Sequence, residues 1–210
     1  MNLTDMRSLV RRDLKDEDEN NYRWTDDELD RHIAHALSEL SQAAPVEAVE
    51  TIATSSGSRD IDVAELSNRV MVQAVEYPID KFPKKYRRFS LWADTLTLLG
   101  DCVPDGSDAR IYYGKLHTLD AESSTIPATL EDLLAVGAEG FACLEWASFS
   151  VNKVNVGGIS TAQEFEAVAQ ARLAYFHKEL RRLGRNNRVR LTRLFVLSEQ
   201  AANQSTVVGP

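Results

Sequence analysis

The sequence predicts an α+β fold, mainly helical, in which a bundle of about four helices carries a small inserted antiparallel β-sheet. Apolar residues recur at helical spacing near both ends of the chain and alternate with polar residues between about residues 46 and 119. Turn-forming Gly, Pro, Asp and Ser residues separate the alternating runs. With 210 residues, the chain is long enough to bury a substantial core in a single domain.

Two helices begin the chain, and the start of the second is the most informative local pattern in the sequence. Thr25 is a good N-cap, and Glu28, three positions later, completes a capping box. Trp24 and Leu29 lie at the two ends of a hydrophobic staple, so we expect the chain to enter this helix at a fixed angle. These two helices are predicted at about residues 4–15 and 26–43.

The middle of the chain, about residues 46–119, is predicted to form the inserted sheet. Pro45 ends the second helix because proline is incompatible with a helix interior. Runs rich in Val, Ile, Tyr and Phe then alternate with turn signals. The predicted strands lie at about residues 46–54, 61–63, 70–77, 89–99 and 111–113.

Two further helices are predicted at about residues 127–150 and 161–183. Gly137 and Gly140 each disfavour the third helix by about 1 kcal/mol, so we expect them to permit close helix packing. Gly184 is expected to cap the fourth helix. The third helix should use Gly137, Ala138 and Phe141 to contact Phe165, Ala169 and Phe176 of the fourth. In domain terms, residues 1–184 form one domain, and residues 185–210 form an extended arm with a polar tail.

Charge is distributed unevenly along the chain. The net charge of −8 argues against a general nucleic-acid binder. Residues 1–30 contain ten acidic and five basic residues, whereas residues 172–193 contain eight basic residues and one acid, Glu179. This polarity suits contacts between protein copies, and two solvated faces are the alternative. The acidic run at residues 16–21 lacks the glycine and spaced ligands of a calcium loop and is interpreted as a solvated linker.

The sequence also bears on the compartment in which the protein is made. Cys102 and Cys143 lie far apart and outside any CxxC motif, which predicts free thiols and synthesis in a reducing cytoplasm. The first residues lack the charged and apolar regions of a signal peptide. No apolar run approaches the roughly 20 residues that cross a bilayer, so no membrane partner is expected.

The arginines between residues 181 and 193 are the strongest candidate for a recognition surface. Basic and apolar residues alternate from Arg188 to Arg193, which fits an extended segment laid against a partner. The alternative is a helix C-terminus that favours cations, followed by a soluble tail. The residues predicted to bind the partner are Arg185, Arg188, Arg190, Leu191, Arg193, Phe195 and Leu197.

The sequence offers little chemistry. His32 and His35 share a helix with Asp30 and Glu39 nearby, but this spacing supplies two metal ligands at most, and a zinc site needs three or four. GxSxG, P-loop, GxGxxG and HExxH motifs are absent. We therefore predict neither an enzyme nor a metal or cofactor site.

Three groups of segments, in this order, resemble the bacteriophage head-tail adaptor (head completion, neck connector) proteins. The resemblance spans roughly residues 1–185. The first group is the short helix of residues 3–12 followed by Trp24-Thr25-Asp26-Asp27-Glu28-Leu29. The second is Val75-Glu76-Tyr77-Pro78 with Phe89-Ser90-Leu91-Trp92, and the third is residues 112–117 with residues 126–133.

This resemblance implies a structural subunit of the virion neck, made in the host cytoplasm. It implies a homo-oligomeric ring, expected to be a dodecamer, between the portal protein and a tail-side neck or tail-completion protein. DNA would pass through the lumen without sequence-specific binding. The arginine-rich segment would contact the portal side. The alternative, from the residues themselves, is a nucleic-acid-binding or regulatory helical module that uses the arginine cluster of residues 181–193.

Overall fold

A computed structural model describes residues 1–151 and 161–193 of the chain. Helix accounts for roughly 46% and strand for roughly 22%, so the α+β class is confirmed, although the description "mainly helical" is not. The helices are α1 (Leu3–Leu14), α2 (Asp26–Ala43), α3 (Ala128–Ser150) and α4 (Thr161–Arg193). The strands are β1 (Val46–Ala53), β2 (Asp60–Asp62), β3 (Arg69–Glu76), β4 (Tyr86–Arg87), β5 (Phe89–Trp92), β6 (Thr95–Leu98) and β7 (Asp108–Lys115).

The chain divides into two compact units. The helical unit comprises Met1–Ala44 and His117–Gly184, and the β unit comprises Pro45–Leu116 together with the described residues from Arg185 onward. The β strands are thus an insertion between α2 and α3, as the sequence predicts.

The predicted start of α2 is confirmed in detail. Thr25 Oγ1 accepts a hydrogen bond from the Glu28 backbone N–H at 3.3 Å, and a Glu28 carboxylate oxygen accepts one from the Thr25 backbone N–H at 2.7 Å. Trp24 and Leu29 are both buried in the core of the helical unit. A second capping box, formed by Asn2 and Asp5, starts α1.

The acidic run before α2 is not entirely a solvated linker, and the interpretation was wrong for its first residue. Asp16 is buried and pairs with the buried Arg11, whose Nη1 lies 2.8 Å from Asp16 Oδ2. Asp16 also accepts hydrogen bonds from the backbone N–H groups of Arg23 and Trp24 at 2.7 and 3.3 Å. A buried carboxylate needs such partners, and here they fix the chain just before α2.

The predicted close packing of α3 on α4 is confirmed at the glycines. A Cβ added to Gly137 would lie 2.9 Å from the Phe176 ring, and one added to Gly140 would lie 2.8 Å from the Leu173 side chain. Phe141 was assigned to the wrong partner, because it stacks on His35 of α2 with ring centroids 4.0 Å apart. The small residues of α3 therefore face α4, while this aromatic residue faces α2.

The fourth helix is longer than predicted. It continues through Gly184 to Arg193, so the expected cap at Gly184 and the expected extended arm over residues 185–193 were both wrong. The physical reason lies in the composition, because Arg, Leu and Asn continue a helix without difficulty when no residue adopts the left-handed conformation that ends one. Residues 194–210 of the predicted arm and tail lie outside the described residues.

All the described strand pairings in the β unit are antiparallel, as predicted, but they form two sheets rather than one. The four-stranded sheet has the order β1-β7-β3-β4, and the three-stranded sheet has the order β2-β6-β5. Residues 89–99, predicted as one strand, form the β5–β6 hairpin. Its turn is possible because Ala93 adopts a left-handed conformation (φ 50°), which the sequence does not signal.

The residues that flank the insertion, Ala44 and His117, lie side by side within the helical unit. The His117 backbone N–H donates to Ser41 Oγ at 3.0 Å, and His117 Nε2 lies 2.8 Å from the Ala44 carbonyl oxygen. Because His117 is buried, these bonds also satisfy polar groups that would otherwise be costly. Hydrogen bonds within the helical unit therefore join the residues that precede and follow the insertion.

Candidate interaction surfaces

The predicted partner-binding residues lie largely on the last turns of α4. Arg185 and Arg188 are exposed and Leu191 is partly buried. Arg190 and Arg193 belong to the helix, but their side chains are not described, and Phe195 and Leu197 lie outside the described residues. The described part of the prediction is thus a helical surface rather than an extended strand.

Helical geometry brings several of these arginines together. Arg181, Arg185 and Arg188 recur at spacings of four and three residues, which places them on one face of α4. Arg182 points elsewhere and bonds to Glu179 of the preceding turn at 2.6 Å. We call the face of Arg181, Arg185 and Arg188 the arginine face.

A second basic surface, in the β unit, was missed by the sequence reasoning. Residues 81–93 contain five basic residues and no acid. Phe82 is fully exposed, and Lys81, Lys84 and Lys85 beside it are exposed as well. The signal was present in the run Lys-Phe-Pro-Lys-Lys-Tyr-Arg-Arg, which the alternation of neighbouring strands obscured. Residues 80–88 are called the basic loop below.

The basic loop is held in place at Asp80 and at Lys84. Arg110 Nη2 bonds to Asp80 Oδ1 at 3.1 Å, and this hydrogen bond is the main reason why the pKa of Arg110 is raised. Lys84 Nζ donates to the Tyr112 hydroxyl at 3.0 Å and lies 3.3 Å from Glu76 Oε2. The hydrogen bond with Tyr112, followed by that with Glu76, raises the pKa of Lys84. These anchors present Phe82 to solvent on a fixed framework.

The anchor beneath the loop is a buried carboxylate. Glu76 is fully buried, accepts a hydrogen bond from the Tyr112 hydroxyl at 2.6 Å, and lies 3.6 Å from Arg110 Nη1. Its Oε1 has no hydrogen-bond partner in the described part of the chain. With two cations and a phenol directed at one carboxylate, the cluster is suited to fixing the loop rather than to proton transfer at an open site.

A third exposed feature is the tip of the β5–β6 hairpin. Trp92 is 87% exposed. Arg69 orders the tip by donating to the carbonyl oxygen of Ala93 at 3.0 Å and to Asp94 Oδ1 at 2.8 Å. An exposed indole on an ordered turn is typical of residues that anchor protein interfaces.

An acidic surface lies between α1 and α2. Glu17, Asp18 and Glu19 are exposed, and Tyr22 beside them is 40% exposed. The Arg11 guanidinium lies 3.6 Å from the centroid of the Tyr22 ring, so this ring is held in place while part of it faces solvent. We call Glu17, Asp18, Glu19 and Tyr22 the acidic patch.

The histidines considered as metal ligands are engaged in packing. His32 is buried, with Nε2 2.6 Å from Glu145 Oε2, and burial lowers its pKa although Glu145 opposes that shift. His35 stacks on Phe141. Within residues 1–151 and 161–193, no group of three or more His, Cys, Asp or Glu side chains is placed to hold a metal ion.

A buried ionisable cluster between α3 and α4 was also missed. Glu139 is 2% exposed, and its Oε2 lies 2.5 Å from Arg172 Nη1. Burial raises the pKa of Glu139 to about 7, opposed by Arg172, and raises that of Cys143, one turn further, to about 11. Cys143 is therefore a thiol near neutral pH and a poor nucleophile. The cluster affects stability rather than forming an open catalytic site.

No protein-family model matches this chain, and no curated protein is significantly similar to it.

Among the described residues, no helix is both long enough and apolar enough to cross a bilayer.

Proposed function

We propose that this chain is a structural subunit of a phage neck. In this proposal it forms a ring between the portal protein and a tail-side protein, continues the DNA channel and joins head to tail. The observation that carries the proposal is the arginine face, because α4 extends to Arg193 and presents these cations on a rigid helix. The resemblance to head-tail adaptor proteins in the order of their segments supports the same assignment.

The proposed mechanism is assembly. The helical unit, with its capped helices and glycine-mediated α3–α4 contact, forms the rigid wall of the ring. The basic loop and Trp92 of the β unit contact a neighbouring copy or the tail side, and the arginine face contacts the portal side. Charged surfaces of this kind steer association and select partners, while buried aromatic anchors supply most of the affinity.

Co-expression of the chain with the portal protein encoded by the same genome tests this function. We expect a stable complex of fixed stoichiometry by native mass spectrometry and a ring on the portal by electron microscopy. The double variant Arg185→Glu/Arg188→Glu should lose this complex. The control Arg12→Glu/Arg59→Glu changes the charge equally at two exposed positions, one on α1 and one next to β2, and should retain it. A wild-type chain that neither binds the portal nor occurs in DNA-filled particles would exclude the function.

The spacing of the arginine face also supports a second candidate, a nucleic-acid-binding or regulatory helical module. Arginines at positions i, i+4 and i+7 of a helix are well placed to contact phosphates. Binding to duplex DNA should then weaken steeply with salt, and Arg181→Ala, Arg185→Ala and Arg188→Ala should each reduce the salt slope by about one. The net charge of −8 counts against this function, and DNA binding without any portal binding would favour it.

A further inference from the structure

The basic loop combines two features that an isolated chain does not need. Phe82 is fully exposed although its side chain is apolar, and the anchors at Asp80 and Lys84 hold the loop outward. Lys81 and Lys85 flank the ring with exposed positive charge. An exposed aromatic residue surrounded by lysines on an ordered loop is an interaction surface for an acidic partner that also offers apolar area.

The chain itself carries a surface of the complementary kind. The acidic patch has three exposed carboxylates, Glu17, Asp18 and Glu19, beside the partly exposed Tyr22 ring. Each surface therefore presents one aromatic ring beside a group of exposed side chains of one sign, lysines on the basic loop and carboxylates on the acidic patch. Two copies of the basic loop would repel each other, so pairing of the loop with itself is disfavoured.

We infer that the basic loop of one copy docks on the acidic patch of a second copy, with Phe82 against Tyr22 and lysines against carboxylates. Because the two surfaces differ, the contact is heterologous, and one docked copy retains its acidic patch and the other its basic loop for the next copy. Such contacts generate closed rings or open filaments. The inference rests on the proposed function, since it assigns the contact by which neighbouring subunits of the ring would join.

Charge reversal tests the pairing. The loop variant Lys81→Glu/Lys85→Glu and the patch variant Glu17→Lys/Glu19→Lys should each associate about tenfold or more weakly than the wild type, because attractions become repulsions. Association is measured by sedimentation velocity over a concentration series at low salt, and it should weaken as salt is added. The controls Arg12→Glu/Arg59→Glu and Glu65→Lys/Glu122→Lys change net charge equally at exposed positions and should associate normally.

Two restorations are specific to this pairing. A chain that carries both reversals should regain association, because both surfaces have exchanged sign. An equimolar mixture of the loop variant and the patch variant should also associate, since the loop of each variant faces a patch of opposite charge on the other. An acidic foreign protein or a nucleic acid as partner would predict neither restoration.

A photoreactive phenylalanine analogue at position 82 locates the contact directly. In an equal mixture of ¹⁵N-labelled and unlabelled chains, we expect mixed-isotope crosslinks between residue 82 and the peptide that contains Tyr22. Moving the analogue to Phe149, an exposed aromatic residue of α3, should abolish that crosslink.

The inference is overturned by crosslinks within one chain, by crosslinks to other peptides, or by a wild-type chain that stays monomeric both alone and on the portal. It is also overturned if rings on the portal still form when every copy carries the loop reversal alone or the patch reversal alone, and in that case the proposed neck function stands. Loss of portal binding by the wild type would instead remove the function.

Discussion

Arg11 has four partners in the helical unit: Asp16, the Trp24 carbonyl oxygen, Asp26 and the Tyr22 ring. Its hydrogen bond to Asp26 is the main reason why the pKa of that carboxyl is lowered. The sequence reasoning attributed the fixed entry into α2 to the capping box and the staple alone. The structure adds a buried guanidinium that bonds directly to the segment before the helix.

Replacing Arg11 should therefore be costly. Arg11→Ala leaves the Asp16 carboxylate buried without its cation, and we expect a loss of about 3–5 kcal/mol in the free energy of unfolding. Urea denaturation followed by circular dichroism measures this loss. Arg12→Ala, at a neighbouring exposed position, should change stability by less than about 0.5 kcal/mol. Equal denaturation midpoints for the two variants would contradict the role assigned to Arg11.

Glu139 makes stability depend on pH. Its pKa is about 7 in the folded chain against an ordinary value of 4.5, so the unfolded chain releases this proton first as pH rises. The contribution of Glu139 to stability is thus greatest below pH 4.5 and declines until about pH 7, by on the order of 3 kcal/mol. Glu139→Gln should lack this decline and gain stability relative to the wild type between about pH 4 and about pH 8.

Urea denaturation of both proteins at these two pH values measures the effect, and the exposed Glu122→Gln provides the control. Parallel pH profiles for Glu139→Gln and the wild type would show that Glu139 ionises normally in the folded chain.

At the scale of the helix, two glycines that look alike in sequence have opposite roles. Gly137→Leu should destabilise the chain by roughly 1–3 kcal/mol, because even a Cβ at this position would lie 2.9 Å from the Phe176 ring. Gly184→Ala should stabilise it by about 1 kcal/mol, because alanine favours a helix and the nearest atom, the Ala43 carbonyl oxygen, is 4.0 Å away.

Thermal melting of the two variants separates these expectations. Destabilisation by Gly184→Ala would indicate that α4 ends at this glycine after all, since a left-handed cap residue does not tolerate alanine well.

These elements show what the sequence does and does not specify. Helix starts, the insertion boundaries and the α3–α4 glycines were predictable because capping, proline and close packing act over a few residues. The continuation of α4 past Gly184 was not predictable, because a glycine ends a helix only when it adopts the left-handed conformation. The hairpin at Ala93 and the buried ion pairs of Arg11 and Glu139 depend on tertiary partners, which no local pattern reveals. The basic residues of the basic loop could be seen in the sequence, but the exposure of the loop could not be predicted from it.

At the scale of the whole molecule, the insertion should be separable. Ala44 and His117 lie within hydrogen-bonding distance, so a short Gly-Ser linker can replace Pro45–Leu116 without stretching the helical unit. We expect the shortened chain to keep α1–α3 and residues 161–184 folded and to melt cooperatively by circular dichroism. It should lose association between copies, because the basic loop is gone. A non-cooperative transition would show that the helical unit depends on the β unit for its fold.

The continuity of α4 ties the direction of the arginine face to the residues packed in the core. Each residue of an α-helix advances by about 100°, so one residue inserted after Gly184 would swing Arg185 and Arg188 about 100° around the axis. Seven inserted residues would return them to nearly the same bearing, about 10 Å further along. Tolerance of insertions at this point should therefore vary periodically with the number of inserted residues, with the period of the helix. A seven-residue insertion, which keeps the direction of the arginine face, should be tolerated far better than a one-residue insertion, which rotates it.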